Sequence, residues 1–200
     1  MASPEDACAV WQGGMEGGSS PIRAAARNLT GVSHYFKADF ITRYEDEARA
    51  SERTTGRARA LLEALAASPL RSSAEWSQAL GVGSDWVGRG IKKGAQDPQI
   101  LESLATGELT MPLWGASFDP EVARSYGGRF TFVMTGPFPA VPAWLYSGIV
   151  AHELELICGG RYQIVEPLDL NAENIAVHLR FVELTPLLDA ESTTLKSDDS

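Results

Sequence analysis

The texture of the chain changes at Gly81. Before it, apolar residues recur three or four positions apart: Phe36, Phe40, Ile41 and Tyr44, then Ala58, Leu61, Leu62 and Leu65. That is helical spacing. Thr54-Thr55-Gly56 is expected to divide two helices, and Ser72-Ser73 before AEWSQAL to cap a further short one. After Gly81 the apolar residues come in short runs broken by Gly, Pro and Asp. The sequence predicts strands at Trp86–Ile91, MPLWGASF, Phe130–Met134, Glu153–Ile157, Tyr162–Val165 and Ile175–Glu183. Two brief helices interrupt them, each opened by an Asp cap and a Pro in the first turn, at Asp97-Pro98 and Asp119-Pro120. A Pro-rich loop is expected at 136–143, and Gly159-Gly160 reads as a hairpin turn. Helices first and short strands after is α+β with an antiparallel or mixed sheet. It is not the regular strand–helix alternation of a dinucleotide-binding domain.

A length of 200 residues suits a single domain. The expected division is a flexible N-terminal arm over 1–33, one domain over 34–186 and a disordered acidic tail over 187–200. Within the domain, 34–80 is helical and 81–186 is the strand-rich core. The arm is weakly patterned, with a short helix around Ile22–Asn28. A net charge of −9 argues against nucleic acid or an anionic membrane as partner, since both favour a basic surface. It leaves room for a basic target protein or a small cationic ligand. Cys8 and Cys158 form neither a disulfide framework nor a metal set, which fits a reduced, cytoplasmic protein. The opening MASPEDACAVWQGG has acids where a secretory signal needs an apolar run.

Several familiar chemistries lack their residues. His152-Glu153 is followed by Leu156 where a zinc helix needs its second His. Gly115-Ala116-Ser117-Phe118-Asp119 lacks the last Gly of a nucleophile elbow. There is no phosphate-binding GxxxxGK[ST] loop, and His34, His152 and His178 have no metal spacing.

AHELELICGGRYQIV, residues 151–165, poses a sharper question. On a strand, Glu153 and Glu155 point one way and Leu154 and Leu156 the other. Like charges so close repel and raise each other's pKa. Either the face is wet, or it meets a cation.

Arg89-Gly90, then WGASFDPEVARSYGG, then ELELICGGRYQIV, in that order, resemble the mono-ADP-ribosyltransferases of the Arg–Ser–Glu type over residues 84–184. One departure is plain: Gly115-Ala116-Ser117 keeps only the last Ser of the family's S-T-S. The resemblance implies a mixed, mainly antiparallel two-sheet core behind N-terminal helices. It implies an enzyme that cleaves the nicotinamide–ribose bond of NAD and passes ADP-ribose to a target protein, with arginine as acceptor for the E-x-E class. NAD is then the substrate, with no metal. Glu155 would steady the ribose cation, Glu153 would receive the acceptor, and Ser117 would hydrogen-bond Glu155. Arg89 would hold the phosphates, and bare Gly90 would let the backbone approach the nicotinamide. Trp144 and Tyr146, before the E-x-E, would recognise the target. Such enzymes serve as toxins, effectors or phage-borne modifiers, which implies delivery into another cell or action where they are made. An NAD glycohydrolase and a catalytically degenerate binding module are the alternatives.

Overall fold

The computed structural model describes residues 2–32, 51–94, 97–149 and 151–188. The expected helical run through Phe36, Phe40, Ile41 and Tyr44 lies outside them, as do residues 189–200 of the tail.

The N-terminal segment is a correction to the flexible arm. It folds as α1 (Pro4–Gly13) and α2 (Ser19–Thr30), joined by a 3-10 turn at Met15–Gly17. Helix α1 has a complete set of end signals. The Ser3 side chain accepts from the Asp6 N–H, Pro4 occupies the first turn, and Gly14 closes the helix at φ +66°. Ala7, Cys8, Val10 and Trp11 form its buried face, and α2 buries Ile22, Ala24, Ala25 and Ala26. The alanines among them let the helices pack closely.

Helix α3 (Glu52–Ala67) runs through Thr54-Thr55-Gly56 without a break. The Ser51 side chain caps it by accepting from the Thr54 N–H at 3.2 Å, so the polar triplet is its first turn and not a divider. Its Arg57 side chain is only 1% exposed. It pairs with Asp6 of α1 at 2.7 Å and with Glu16 of the 3-10 turn at 2.5 Å. Helix α4 (Ser73–Leu80) starts in the expected place with a full capping box between Ser72 and Glu75.

The second half supplies β1 (Gly88–Ile91), α5 (Asp97–Ala105), β2 (Glu108–Ser117), α6 (Pro120–Ser125), β3 (Phe130–Thr135), β4 (Val141–Pro142), α7 (Ala143–Ser147), β5 (Glu155–Ile164) and β6 (Ile175–Glu183). The strands pair in the order β2-β1-β3-β6-β5-β4, and β2 also pairs with β5. The extra pairing closes five strands into a ring in place of the two separate sheets expected. Only β3 and β6 run parallel, so the sheet is mixed and mainly antiparallel.

Strand β5 is a second correction. It is continuous from Glu155 to Ile164, and Gly159-Gly160 lies inside it instead of turning it. The reason is across the ladder. Strand β2 carries a bulge between Met111 and Trp114, at Pro112. Above the bulge Leu109 and Met111 enter the barrel core. Below it Trp114 and Ala116 do, while Leu113 turns to the helices. The displaced Pro112 carbonyl presses on Gly159, where a Cβ would stand 2.1 Å from that oxygen. The bare glycine makes room for the bulge.

Two apolar cores result. One fills the ring with Trp114, Phe130, Phe132 and Tyr162, where the Trp114 indole N–H donates to the Tyr162 hydroxyl at 3.0 Å. The other lies between β2, β5 and the three N-terminal helices. Among the described residues no helix is long and apolar enough to cross a membrane. Residues 187 and 188 of the tail are described, and the Leu188 N–H donates to the Leu29 carbonyl at 2.8 Å.

Gly159→Ala is expected to destabilise the fold by about 1–3 kcal/mol, the usual cost of overpacking against an unyielding neighbour. Chemical denaturation should show a lower midpoint with an unchanged slope.

Candidate active site

Helix α6 docks on β1 through missing side chains. A Cβ at Gly90 would stand 2.1 Å from the Ala123 carbonyl and 2.3 Å from that of Gly127. Gly90 is therefore bare for packing, and it does not line the pocket that opens beside it. Its neighbours Gly88 and Arg89 do. The same pocket gathers Ser117 from the end of β2, Tyr126 after α6, and Glu153 and Glu155 before and at the start of β5. Four of the sequence-predicted residues thus meet in one place.

Arg89 reaches across to β2, where its guanidinium donates to the Gly115 carbonyl at 2.9 Å. It also lies over the Tyr126 ring, 5.7 Å from the centroid, within range of a cation–π contact. The Tyr126 hydroxyl stands 3.4 Å from both Glu153 carboxylate oxygens.

The two acids do not converge by strand alternation, as the sequence reading supposes. Ala151–Glu153 is a 3-10 turn, and the strand begins only at Glu155. Leu154 between them has φ +46°, a conformation that costs a non-glycine residue roughly 1–3 kcal/mol. The chain is held there by the end of β2. The Ser117 hydroxyl donates to the Glu153 carbonyl at 2.5 Å, and the Phe118 N–H to the Leu154 carbonyl at 3.4 Å. Ser117 also accepts from the Asp119 N–H at 2.9 Å. The expected Ser117–Glu155 hydrogen bond is absent; Ser117 instead shapes the turn that presents both acids.

Glu155 is held from elsewhere. The Trp11 indole N–H donates to its Oε1 at 2.9 Å, and the Gln12 amide approaches Oε2 at 3.5 Å. Both come from α1, the segment read as a loose arm, so neither was singled out. The signal was present in the spacing of Ala7, Cys8, Val10 and Trp11 along one helical face. Burial raises the Glu155 carboxyl above the usual range; the Trp11 bond and Arg89 act against this, and Glu153 adds to it. Burial, with Glu153 and Glu155, likewise raises the Tyr126 phenol.

Of the two target-recognition residues, Trp144 turns inward and meets Phe118 edge-on, 6.4 Å between ring centroids. It is half-buried against the barrel core. Tyr146 is 41% exposed, next to Leu145 at 63%. Neither lines the pocket.

The raised Glu155 carboxyl has a consequence for stability. In the unfolded chain this group ionises at the ordinary value, and in the folded chain only at higher pH. Folding therefore loses free energy as pH rises through that interval. Glu155→Gln is expected to melt above wild type at pH near neutrality. The difference should fade below ~pH 4, the ordinary carboxylate range. Melting curves of both proteins across that pH range check it.

No family model matches the sequence, and no match was found among curated proteins. Solved structures are similar in shape at low identity. Plx2a, an ADP-ribosyltransferase toxin from Paenibacillus larvae, is 12% identical over 90% of this chain and 86% of its own, with a TM-score of 0.53. The C3 exoenzyme of Clostridium limosum is 12% identical, covering 92% of this chain and 86% of its own, with a TM-score of 0.49. Exoenzyme S of Pseudomonas aeruginosa, solved with human 14-3-3 protein beta and bound to Carba-NAD, is 14% identical over 98% and 92%, with a TM-score of 0.48. The likeness to Plx2a places this chain in the ADP-ribosyltransferase fold.

Proposed function

We propose that this protein is an NAD-dependent mono-ADP-ribosyltransferase whose acceptor is an arginine side chain of a target protein. The observation that carries the reading is the meeting of Arg89, Ser117, Glu153 and Glu155 in one pocket, from three separate stretches of the chain. The sequence resemblance named the same four residues. The fold shared with Plx2a supports it.

The reaction asks little of acid catalysis. Nicotinamide leaves NAD as a neutral heterocycle, taking the electrons of its bond to the ribose. The sugar carbon becomes cationic, and a fixed anion lowers the energy of that state. Glu155 supplies the anion at the pocket floor. The Arg89 guanidinium spends one donor on the Gly115 carbonyl and has others for phosphate oxygens. Glu153 stands nearer the rim, with Tyr126 beside it, and receives the guanidinium of the acceptor. The acceptor nitrogen then bonds to the ribose carbon and gives its proton to Glu153. The products are the ADP-ribosylated guanidinium, neutral nicotinamide and a proton. Leu145 and Tyr146 on α7 are the apolar surface offered to the target protein.

Separating the two acids tests this division. Glu155→Gln should abolish both nicotinamide release and adduct formation. Glu153→Gln keeps the shape but cannot take the proton, a step typically worth 10²–10⁴-fold. Transfer to an arginine analogue should collapse by about that factor while NAD cleavage by water persists. Mass spectrometry of the adduct and chromatography of free nicotinamide read the two outcomes. Equal losses in both would show that Glu153 shares the ribose-side chemistry; cleavage with no adduct even in wild type would favour a glycohydrolase.

Arg89→Lys keeps the charge and loses the planar fork. The dissociation constant for NAD, from calorimetry, is expected to rise by a factor equivalent to about 1–3 kcal/mol. An unchanged constant would return Arg89 to a structural role.

A further inference from the structure

Strand β2 gives the Glu155 carboxylate no side-chain hydrogen bond. Its Ser117 hydroxyl is committed to the Glu153 carbonyl and the Asp119 N–H. Its Gly115 has no side chain, and a Cβ there would stand 2.2 Å from Glu155 Oε1. The carboxylate occupies the very space a side chain at position 115 would fill. A half-buried, negatively charged group in that position needs a donor, and among the described residues the close and well-placed one is the Trp11 indole N–H, 144 residues away in sequence, at 2.9 Å.

Resting on the reading of Glu155 as the residue that steadies the ribose cation, the structure assigns Trp11 as its positioning residue: the indole N–H holds Oε1 so that Oε2 is presented to the pocket.

Three features support this. Trp11 is 5% exposed, in the same apolar cluster as Leu61 and Leu65 of α3 and Ile157 of β5, so its ring has a fixed seat. An indole N–H can only donate. It therefore favours the carboxylate over the acid, unlike a serine hydroxyl, which can reverse its role. A carboxylate has about four acceptor sites, so one indole bond leaves capacity for a ribose hydroxyl. Gln12 is the weaker contact. Its amide is at the 3.5 Å limit from Oε2, and its carbonyl accepts from the Ser147 hydroxyl of α7. Besides Trp11 and Gln12, the charged and titratable groups around Glu155 are Arg89 on β1, Glu153 in the 3-10 turn, Tyr126 after α6, Cys8 on α1 and Cys158 on β5. Burial of the carboxyl, reinforced by Glu153, is opposed chiefly by the Trp11 bond.

Trp11→Phe keeps an aromatic ring and deletes the N–H. The expected result is a fall in kcat for NAD cleavage of about 10- to 100-fold, the range for losing a hydrogen bond to a charged group. KM for NAD should change little, and the acid limb of the pH–rate profile should move to higher pH. A purely structural ring would not move that limb. A second measurement needs no altered tryptophan. The indole N–H resonance of Trp11, assigned in the wild-type protein, should titrate with Glu155 and shift in Glu155→Gln. A resonance indifferent to Glu155→Gln overturns the assignment whatever the activity. So does a folded Trp11→Phe protein with wild-type kcat and an unmoved limb while Glu155→Gln is inactive. If Glu155→Gln stays active, the catalytic reading of Glu155 fails instead, and the resonance alone decides whether the indole holds the carboxylate.

Discussion

The antiparallel pairing of β2 with β5 sets the position of everything else. It closes the ring of strands, and its final register pair is Ser117 with Glu155. A slip of one residue would send every side chain of a strand to the opposite face, and here that would take Glu155 out of the pocket. The bulge at Pro112 pins the register. It lets β2 bury Leu109 and Met111 at one end and Trp114 and Ala116 at the other on the same side. Gly159 makes the bulge possible. A packing detail about fifteen ångströms along the strand from the acids, at roughly 3.4 Å per residue, thus decides whether the site exists.

The site itself is built at a local cost in free energy. Leu154 sits in the left-handed region, and a partly buried carboxylate faces a second acid. Strained backbone and opposed charges persist only where the surroundings over-determine them. Here the surroundings are the Ser117 and Phe118 bonds to the turn, and Arg89 and Trp11 beside the carboxylate. Gly115 belongs to the same arrangement. Where the related motif has a hydroxyl, this chain has a void filled by the carboxylate itself, and the hydrogen-bond donor comes from a different element.

What the sequence made legible was local chemistry. Asp119-Pro120 and the Ser72–Glu75 box opened helices where they were expected to, because a cap and its partners lie within four residues. The strands at Arg89, Phe130 and Ile175 were likewise readable from short apolar runs. What failed needed distant partners. Gly159-Gly160 has the composition of a turn, and only the opposed bulge reveals it as the inside of a strand. Thr54-Thr55-Gly56 looks like a breaker until Ser51 caps the helix before it. The packing role of Gly90 is equally invisible locally, because its close neighbours are the carbonyls of Ala123 in α6 and of Gly127 just after it. The partner of Ser117 was misjudged for the same reason: a hydroxyl's target is a matter of ångströms, and the left-handed Leu154 moved the carboxylate away from it.

Helix α1 shows how far such distant dependence extends. Ten residues are too few to hold a helix in water on propensity alone. Its order comes from the apolar face beneath it and from Arg57, almost wholly buried, which ties Asp6 on one side and Glu16 on the other. Arg57 holds both carboxyls below their usual range, with its hydrogen bonds to each as the main cause. Because Asp6 and Glu16 are half open to water, the clamp orients the helix more than it stabilises the whole protein. Orientation is what the site requires of it. Trp11 lies little more than one turn beyond Asp6 on the same helix, and a rotation of α1 by one residue would swing the indole about 100° away from Glu155. An arginine outside the pocket, whose partners Asp6 and Glu16 lie in the segment expected to be a flexible arm, therefore governs the hydrogen bond on which the central carboxylate depends.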